Sequence, residues 1–190
     1  MLPLDLVRLW IDEYKSLGVY EPEAAVVSTM SISGPSSRVV LIRRITDEGL
    51  IFFTNLTSKK AKDIKANSKV ALNFYFRQLY KQINIRGVAQ LIPDNVADSY
   101  FAQRDRAKQI SAWASKQSQL MKSEDELEQA IAEYELKFQN IAVERPPFWS
   151  GYIIIPEYFE FWQEGEARRH KRSCWQRSAS GQWDNFQLYP

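Results

Sequence analysis

The chain is poor in sulfur and imidazole and has no long apolar run, and each scarcity closes off a class of function. Cys174 is the only cysteine among 190 residues. An internal disulfide is therefore impossible, and a zinc site built from several thiolates is excluded. Without a sign of a lowered thiol pKa, Cys174 reads as a small buried residue rather than a nucleophile. His170 is the only histidine, so it makes no conventional metal site by itself. The opening stretch Met1-Leu2-Pro3-Leu4-Asp5-Leu6 and Arg8 turns polar before an apolar run develops, and no later stretch approaches a membrane span. A soluble, cytoplasmic protein is expected.

Glycine-rich phosphate motifs are missing as well, with neither a dinucleotide fingerprint nor a nucleotide-hydrolase loop after the early strands. Any phosphorylated ligand must then be held mainly by side chains. Charge of one sign is also scarce: 25 Lys and Arg against 23 Asp and Glu give a formal charge of +2, too little to favour nucleic acid on composition alone. Neither internal repeats nor low-complexity tracts divide the chain. With 45% hydrophobic and 25% charged residues it reads as one globular domain over residues 1–190.

The pattern along the chain begins with a helix. Leu6, Leu9, Trp10, Ile11, Tyr14 and Leu17 form a stripe between Pro3 and Gly18. Strands are predicted at residues 24–30, 38–43 and 50–54, with turns at 33–36 and 47–49. A short basic helix capped by Ser58 follows, then strands at 70–76 and 82–91. Residues 93–138 are mostly helical, with breaks near 104–105 and 115–118, and strand character returns from Gly151 onward. Helices thus decorate a meandering sheet. The fold class is mainly β with flanking α-helices, a small barrel rather than a doubly wound fold.

Several constellations can carry chemistry. Arg38 on a strand and Lys59-Lys60 after the next hairpin can gather beside Ser58 and the free donors of the short helix as a phosphomonoester site, or form a solvated charge cluster. Gln82, Gln117 and Ser118 can satisfy a ligand ring or chain, or face solvent and cap a helix. Tyr100, Arg104 and Lys108, spaced by four, share one face of a predicted helix and can hold an anion, or form a packed tyrosine beside surface cations. In the segment Phe161-Trp162-Gln163-Glu164-Gly165-Glu166-Ala167-Arg168-Arg169-His170-Lys171-Arg172, an extended backbone places Arg168, His170 and Arg172 on one face and Arg169 and Lys171 on the other. Guanidinium, imidazole and the nearby Trp162 suit a planar anionic ligand.

Four segments, Ser37 to Arg43, Phe52 to Lys60, Trp113 to Ser118, and Glu160 to Gln163 running on to Arg168 through Arg172, closely resemble the pyridoxamine 5′-phosphate oxidase family. The resemblance spans nearly the whole chain. It implies an FMN-binding split β-barrel, a homodimer whose two subunits complete each site, and a C-terminal dimerisation and substrate-binding region. It implies that Arg38, Lys59 and Lys60 bind the FMN phosphate, and that Phe53, Thr54, Gln82, Gln117, Ser118, Trp162 and Arg172 contact the rest of the flavin. Tyr100, Arg104, Arg43 and Lys108 would hold the phosphate of a vitamin B6 substrate, with Arg168 and His170 at its reacting end. Arg43 stands where the usual oxidase has lysine, and Lys108 where it commonly has serine. The implied reaction is oxidation of pyridoxamine or pyridoxine 5′-phosphate to pyridoxal 5′-phosphate with molecular oxygen. The alternatives are a related oxidase of a phenazine precursor and a noncatalytic FMN or pyridoxal-phosphate carrier, with an RNA-binding protein further off.

Overall fold

In the computed structural model, which describes residues 2–190, an antiparallel sheet of nine strands curls around one main core. Met1, counted in the opening stretch above, lies outside the described residues. The strands are β1 (Ala24–Ser31), β2 (Gly34–Leu41), β3 (Arg44–Ile45), β4 (Leu50–Asn55), β5 (Lys69–Phe76), β6 (Lys81–Leu91), β7 (Trp149–Gln163), β8 (Lys171–Arg177) and β9 (Trp183–Gln187). Their order is β2-β1-β5-β6-β7-β4-β3, and β8 and β9 extend from the far end of β7. This is the curled half-barrel that the pattern of strands leads one to expect. Alternation fixes the inner face: Leu72, Phe74, Phe76, Ile83, Ile85, Phe159 and Phe161 are almost wholly buried, as period-two apolar residues on paired strands require.

Helix α1 (Pro3–Lys15) closes one mouth of the barrel. Its buried face is Leu4, Val7, Trp10 and Ile11, with Trp10 edge-on to Phe76 at 6.4 Å and to Phe161 at 5.3 Å. The stripe expected from sequence is therefore rotated: Leu9 and Leu17 are half exposed, and Leu4 and Val7 take their place. Helix α2 (Lys59–Ala66) follows β4; α3 (Asp94–Ala102), α4 (Arg106–Ala114) and α5 (Glu124–Lys137) link β6 to β7. They carry a second core in which Phe101, Ile110 and Phe138 pack on Trp149.

Strand β7 is the spine. Pro156 lies inside it, where a proline lacks the ladder donor, and the register with β6 shifts there: Arg86 faces Tyr158, but Gly87 faces Pro156. The bulge absorbs the proline and lets one strand of 15 residues serve both ends of the molecule. Gly87 is obligatory at that point, because a Cβ would lie 2.2 Å from the Ile155 carbonyl oxygen. Strand β2 begins at Gly34, so Arg38 sits in mid-strand rather than at its start.

Candidate active site

The turn from β4 into α2 builds a cationic corner. Ser58 is the N-cap of α2, its hydroxyl accepting from the Ala61 amide, and it is fully buried. Lys60, only 8% exposed, turns back from the first turn of the helix. Its Nζ donates to Gln117 Oε1 at 2.9 Å, to Thr54 Oγ1 at 3.1 Å and to Ser58 Oγ at 3.4 Å. These partners are neutral, so the ammonium charge is solvated by dipoles alone. Burial, and then the charge of Arg38, lower its pKa to about 8.

Arg38 reaches in from β2, donating to Ser36 Oγ at 2.6 Å and Thr29 Oγ1 at 2.8 Å. Asp63, one turn along α2 from Lys59, ties the corner together: it accepts from Thr29 at 2.8 Å and Lys59 at 3.0 Å and lies 4.0 Å from Arg38. Burial opposes its charge, yet hydrogen bonds from Thr29 and Lys59, with the charges of Lys59 and Arg38, hold its pKa below the usual carboxylate value. Arg38, Lys59 and Lys60 against Asp63 leave two positive charges uncompensated. That excess matches a phosphomonoester dianion.

Beside this corner opens a cleft of about 550 Å³, lined by Arg43, Phe53, Tyr100, Arg104, Lys108, Gln117 and Trp149 among others. Phe53 lies parallel to Tyr100 at 3.9 Å and to Trp149 at 5.3 Å, so its ring forms part of the aromatic floor. Arg104 lies over Trp149, 4.8 Å from the ring centre, and its Nη1 is buried without a hydrogen-bond partner among the described residues. Burial lowers its pKa; Tyr100 opposes that effect and Arg43 adds to it. An orphaned guanidinium donor at a cleft wall costs free energy until an anion accepts from it. Arg43 forms an ion pair with Glu23, and Lys108 pairs with Asp105 at 2.7 Å.

The cleft corrects one expectation. Tyr100, Arg104 and Lys108 do not share a helix face: Tyr100 is on α3, Arg104 in the connector and Lys108 on α4. They converge because the chain breaks between the helices, where Gln109 Nε2 donates to the Phe101 carbonyl and Arg106 reaches the Phe138 carbonyl.

A second group of predicted residues lies elsewhere. Gln82, Trp162 and Arg172 sit opposite one another on β6, β7 and β8 and so share one face of the sheet. The His170 ring lies 4.8 Å from that of Trp162. The Gly165 amide donates to His170 Nδ1 at 3.3 Å, which leaves Nε2 to carry the proton of a neutral ring. Arg172 donates from Nε to Glu160 at 2.7 Å and from Nη1 to the Tyr189 carbonyl at 3.0 Å. Simple alternation from Arg168 to Arg172 does not hold. Glu166–Arg168 form a 3₁₀ turn in which Ala167 and Arg168 take φ values of 50° and 63°, and β8 starts only at Lys171. Arg168, Arg169 and Lys171 are exposed, and Cys174 is fully buried, accepting from Tyr158 Oη.

The two groups lie toward opposite ends of β7. Thr54 pairs with Ser150 at the start of β7, and Gln82 pairs with Trp162 near its end. Twelve residues of strand at about 3.3 Å each separate them by roughly 40 Å of contour. Sequence reasoning also missed Asp63, Glu23 and Glu160, the carboxylates that hold Arg38, Arg43 and Arg172. For Asp63 the i,i+4 spacing from Lys59 was the available signal; Glu23 and Glu160 are brought to their partners only by strand pairing.

A curled antiparallel half-barrel with a buried cationic corner beside an aromatic cleft defines the split-barrel class. Comparison with known proteins narrows it. Residues 11–138 match the family described as pyridoxamine 5′-phosphate oxidase, and residues 149–190 match the pyridoxine 5′-phosphate oxidase C-terminal dimerisation region. The pyridoxine/pyridoxamine 5′-phosphate oxidase of Rubrobacter xylanophilus is 42% identical over 189 residues, covering 99% of this chain and 87% of that protein. That of Wolbachia pipientis is 41% identical, covering 99% and 88%. Among solved structures, PhzG from Burkholderia lata, in complex with tetrahydrophenazine-1-carboxylic acid, superposes with a TM-score of 0.92 at 30% identity, covering 99% of this chain and 92% of that one. The chain belongs to the pyridoxine/pyridoxamine 5′-phosphate oxidase family.

Proposed function

We infer that the protein is an FMN-dependent homodimeric oxidase that converts pyridoxamine and pyridoxine 5′-phosphates to pyridoxal 5′-phosphate with molecular oxygen. The observation that carries this is the pairing of two anion-ready groups around one aromatic cleft. Lys60 is a buried ammonium with neutral partners, and Arg104 is a buried guanidinium with an unused donor. The first suits the phosphate of a cofactor and the second that of a substrate. Names of relatives between 36% and 42% identical support the same substrates.

In this reading Arg38, Lys59 and Lys60 hold the FMN phosphate, while Thr54, Gln117 and Ser118 offer hydroxyl and amide groups along its chain. The second copy supplies Gln82, Trp162 and Arg172, because these lie toward the other end of β7 from the corner of their own chain. The outward face of the sheet next to them exposes Val26, Met30, Val39 and Tyr75 among polar residues, as suits a surface covered by a like subunit. Held by Arg38, Lys59 and Lys60, FMN would supply a hydride acceptor for the substrate C4′ carbon and a two-electron route to molecular oxygen. Tyr100, Arg104 and Arg43 fix the substrate phosphate, and Lys108 adds charge at the rim. His170, donating from Nε2, and Arg168 orient the reacting end of the pyridine ring.

The likeness to PhzG carries a second reading, oxidation of a tricyclic carboxylic acid, since Arg104 can serve a carboxylate too. Anaerobic flavin absorbance separates the two. Bleaching by pyridoxamine or pyridoxine 5′-phosphate, with pyridoxal 5′-phosphate formed, is the expected result. Bleaching only by tetrahydrophenazine-1-carboxylic acid moves the assignment to the second reading, and stable yellow FMN with every substrate contradicts both.

A further inference from the structure

Arg172 is held on two sides. Its Nε donates to Glu160 Oε1 at 2.7 Å and its Nη1 to the Tyr189 carbonyl at 3.0 Å, which leaves Nη2 without a protein partner among the described residues. Glu160 lies across the strand pair, opposite Cys174 and one same-face position from Trp162, the residue opposite Arg172. Its side chain is 12% exposed, so the carboxylate is poorly hydrated and its hydrogen bonds are correspondingly strong. The second oxygen, Oε2, lies 3.4 Å from Tyr158 Oη, and the Tyr158 ring in turn carries the Arg86 guanidinium 3.9 Å from its centre.

These contacts fix Glu160 as well as Arg172. An arginine side chain has several rotatable bonds, and holding it in one rotamer costs side-chain entropy when the ligand alone must do so. With Nε and Nη1 already satisfied, that ordering is in place before a ligand arrives, and the plane of the guanidinium is set.

We propose that Glu160 is a positioning residue for the flavin site, locking Arg172 so that Nη2 faces the cofactor held by the partner subunit. This rests on the reading of Arg172 as a flavin contact. Glu160 touches neither flavin nor substrate and acts only through the guanidinium. The Tyr189 carbonyl is the second arm of the clamp.

The test is a double-mutant cycle on the full-length protein, read as the FMN dissociation constant from quenching of flavin fluorescence, with thermal unfolding of the FMN-free protein measured beside it. Arg172→Lys is expected to weaken FMN binding at least tenfold, and Glu160→Leu to weaken it by a similar factor. Glu160→Gln, which keeps an acceptor at Oε1, is expected to recover most of the affinity. In the Glu160→Leu/Arg172→Lys double variant the two losses are expected not to multiply, because one acts through the other. Losses that multiply, or a Glu160→Leu loss matched by collapse of the FMN-free protein and not relieved by Glu160→Gln, would show a merely structural role and overturn the proposal. If Arg172→Lys leaves FMN affinity unchanged, the reading of Arg172 itself fails, which is a separate result. A Glu160→Leu variant that binds FMN normally while Arg172→Lys does not overturns the proposal alone.

Discussion

Lys60 carries the most exacting physical demand in the molecule. A buried ammonium with only neutral partners and Arg38 nearby has a pKa near 8 rather than 10.5, so it loses charge where most lysines keep it. A phosphate dianion needs the charged form. The sign follows: anion binding raises the lysine pKa, so FMN binding takes up a proton, and affinity falls as pH rises through about 8, by up to about tenfold per pH unit. Titrating FMN affinity from pH 6.5 to 9.5 checks this, and Lys60→Met is expected to flatten the profile while weakening binding throughout. Arg104 makes a different prediction. Arg104→Ala removes charge-assisted hydrogen bonds to the substrate anion, an expected loss of about 2–3 kcal/mol, or roughly 30–150-fold, in kcat/KM. Steady-state kinetics should show the loss mainly in KM, with FMN affinity retained. These residues were legible from charge and spacing, yet what makes each reactive was not. The neutral surroundings of Lys60 and the orphaned Nη1 of Arg104 are products of long-range packing, as Gln117 and Trp149 come from distant elements.

At the scale of elements, the turn from Gly165 to His170 decides where the imidazole points. A Cβ on Gly165 would lie 2.1 Å from the Arg169 carbonyl, and Ala167 and Arg168 already sit in the left-handed region. Gly165→Ala is therefore expected to open the turn, free His170 Nδ1 from its donor and lower kcat more than it alters FMN affinity. Stopped-flow flavin reduction beside a binding titration measures both. The turn also shows where reading period from sequence stops working. Alternation assumes extended backbone, and three residues of 3₁₀ turn reset the phase before β8. The same limit applies to Tyr100, Arg104 and Lys108, whose four-residue spacing suggested one helix although a connector divides them. By contrast α2 and its Ser58 cap were readable, because capping is a local interaction. Ser58→Ala should cost about 1 kcal/mol of stability from the cap alone, seen in chemical denaturation of the FMN-free protein.

At the scale of the whole molecule, β7 is what makes the protein a dimeric enzyme in this account. Its start builds the cationic corner with β4, its end carries Trp162 beside Gln82 and Arg172, and the Pro156 bulge keeps it one strand between them. Strand character from Gly151 onward was legible, but the continuity of β7 through Pro156 was not, since only the pairing with β6 shows how the break is absorbed. Among the described residues, no helix is long and apolar enough to cross a membrane. The curled sheet was legible from strand count and short turns. That two subunits complete each site was implied by the resemblance; which residues fall in which half was not legible, because a list of site residues carries no distances.

That separation gives the most direct test. Lys60→Met removes a corner residue and Arg172→Leu a residue of the distant half, so each homodimer should have two crippled sites. Mixing the two variants under conditions that exchange subunits places one intact corner opposite one intact distal half in every heterodimer. The measurement is oxidase activity of the mixture against that of each variant alone. A rise toward roughly a quarter of wild-type activity, the share of sites restored by random pairing, is the predicted result. Activity no higher than the mean of the two variants, with subunit exchange verified, would contradict a site shared between copies.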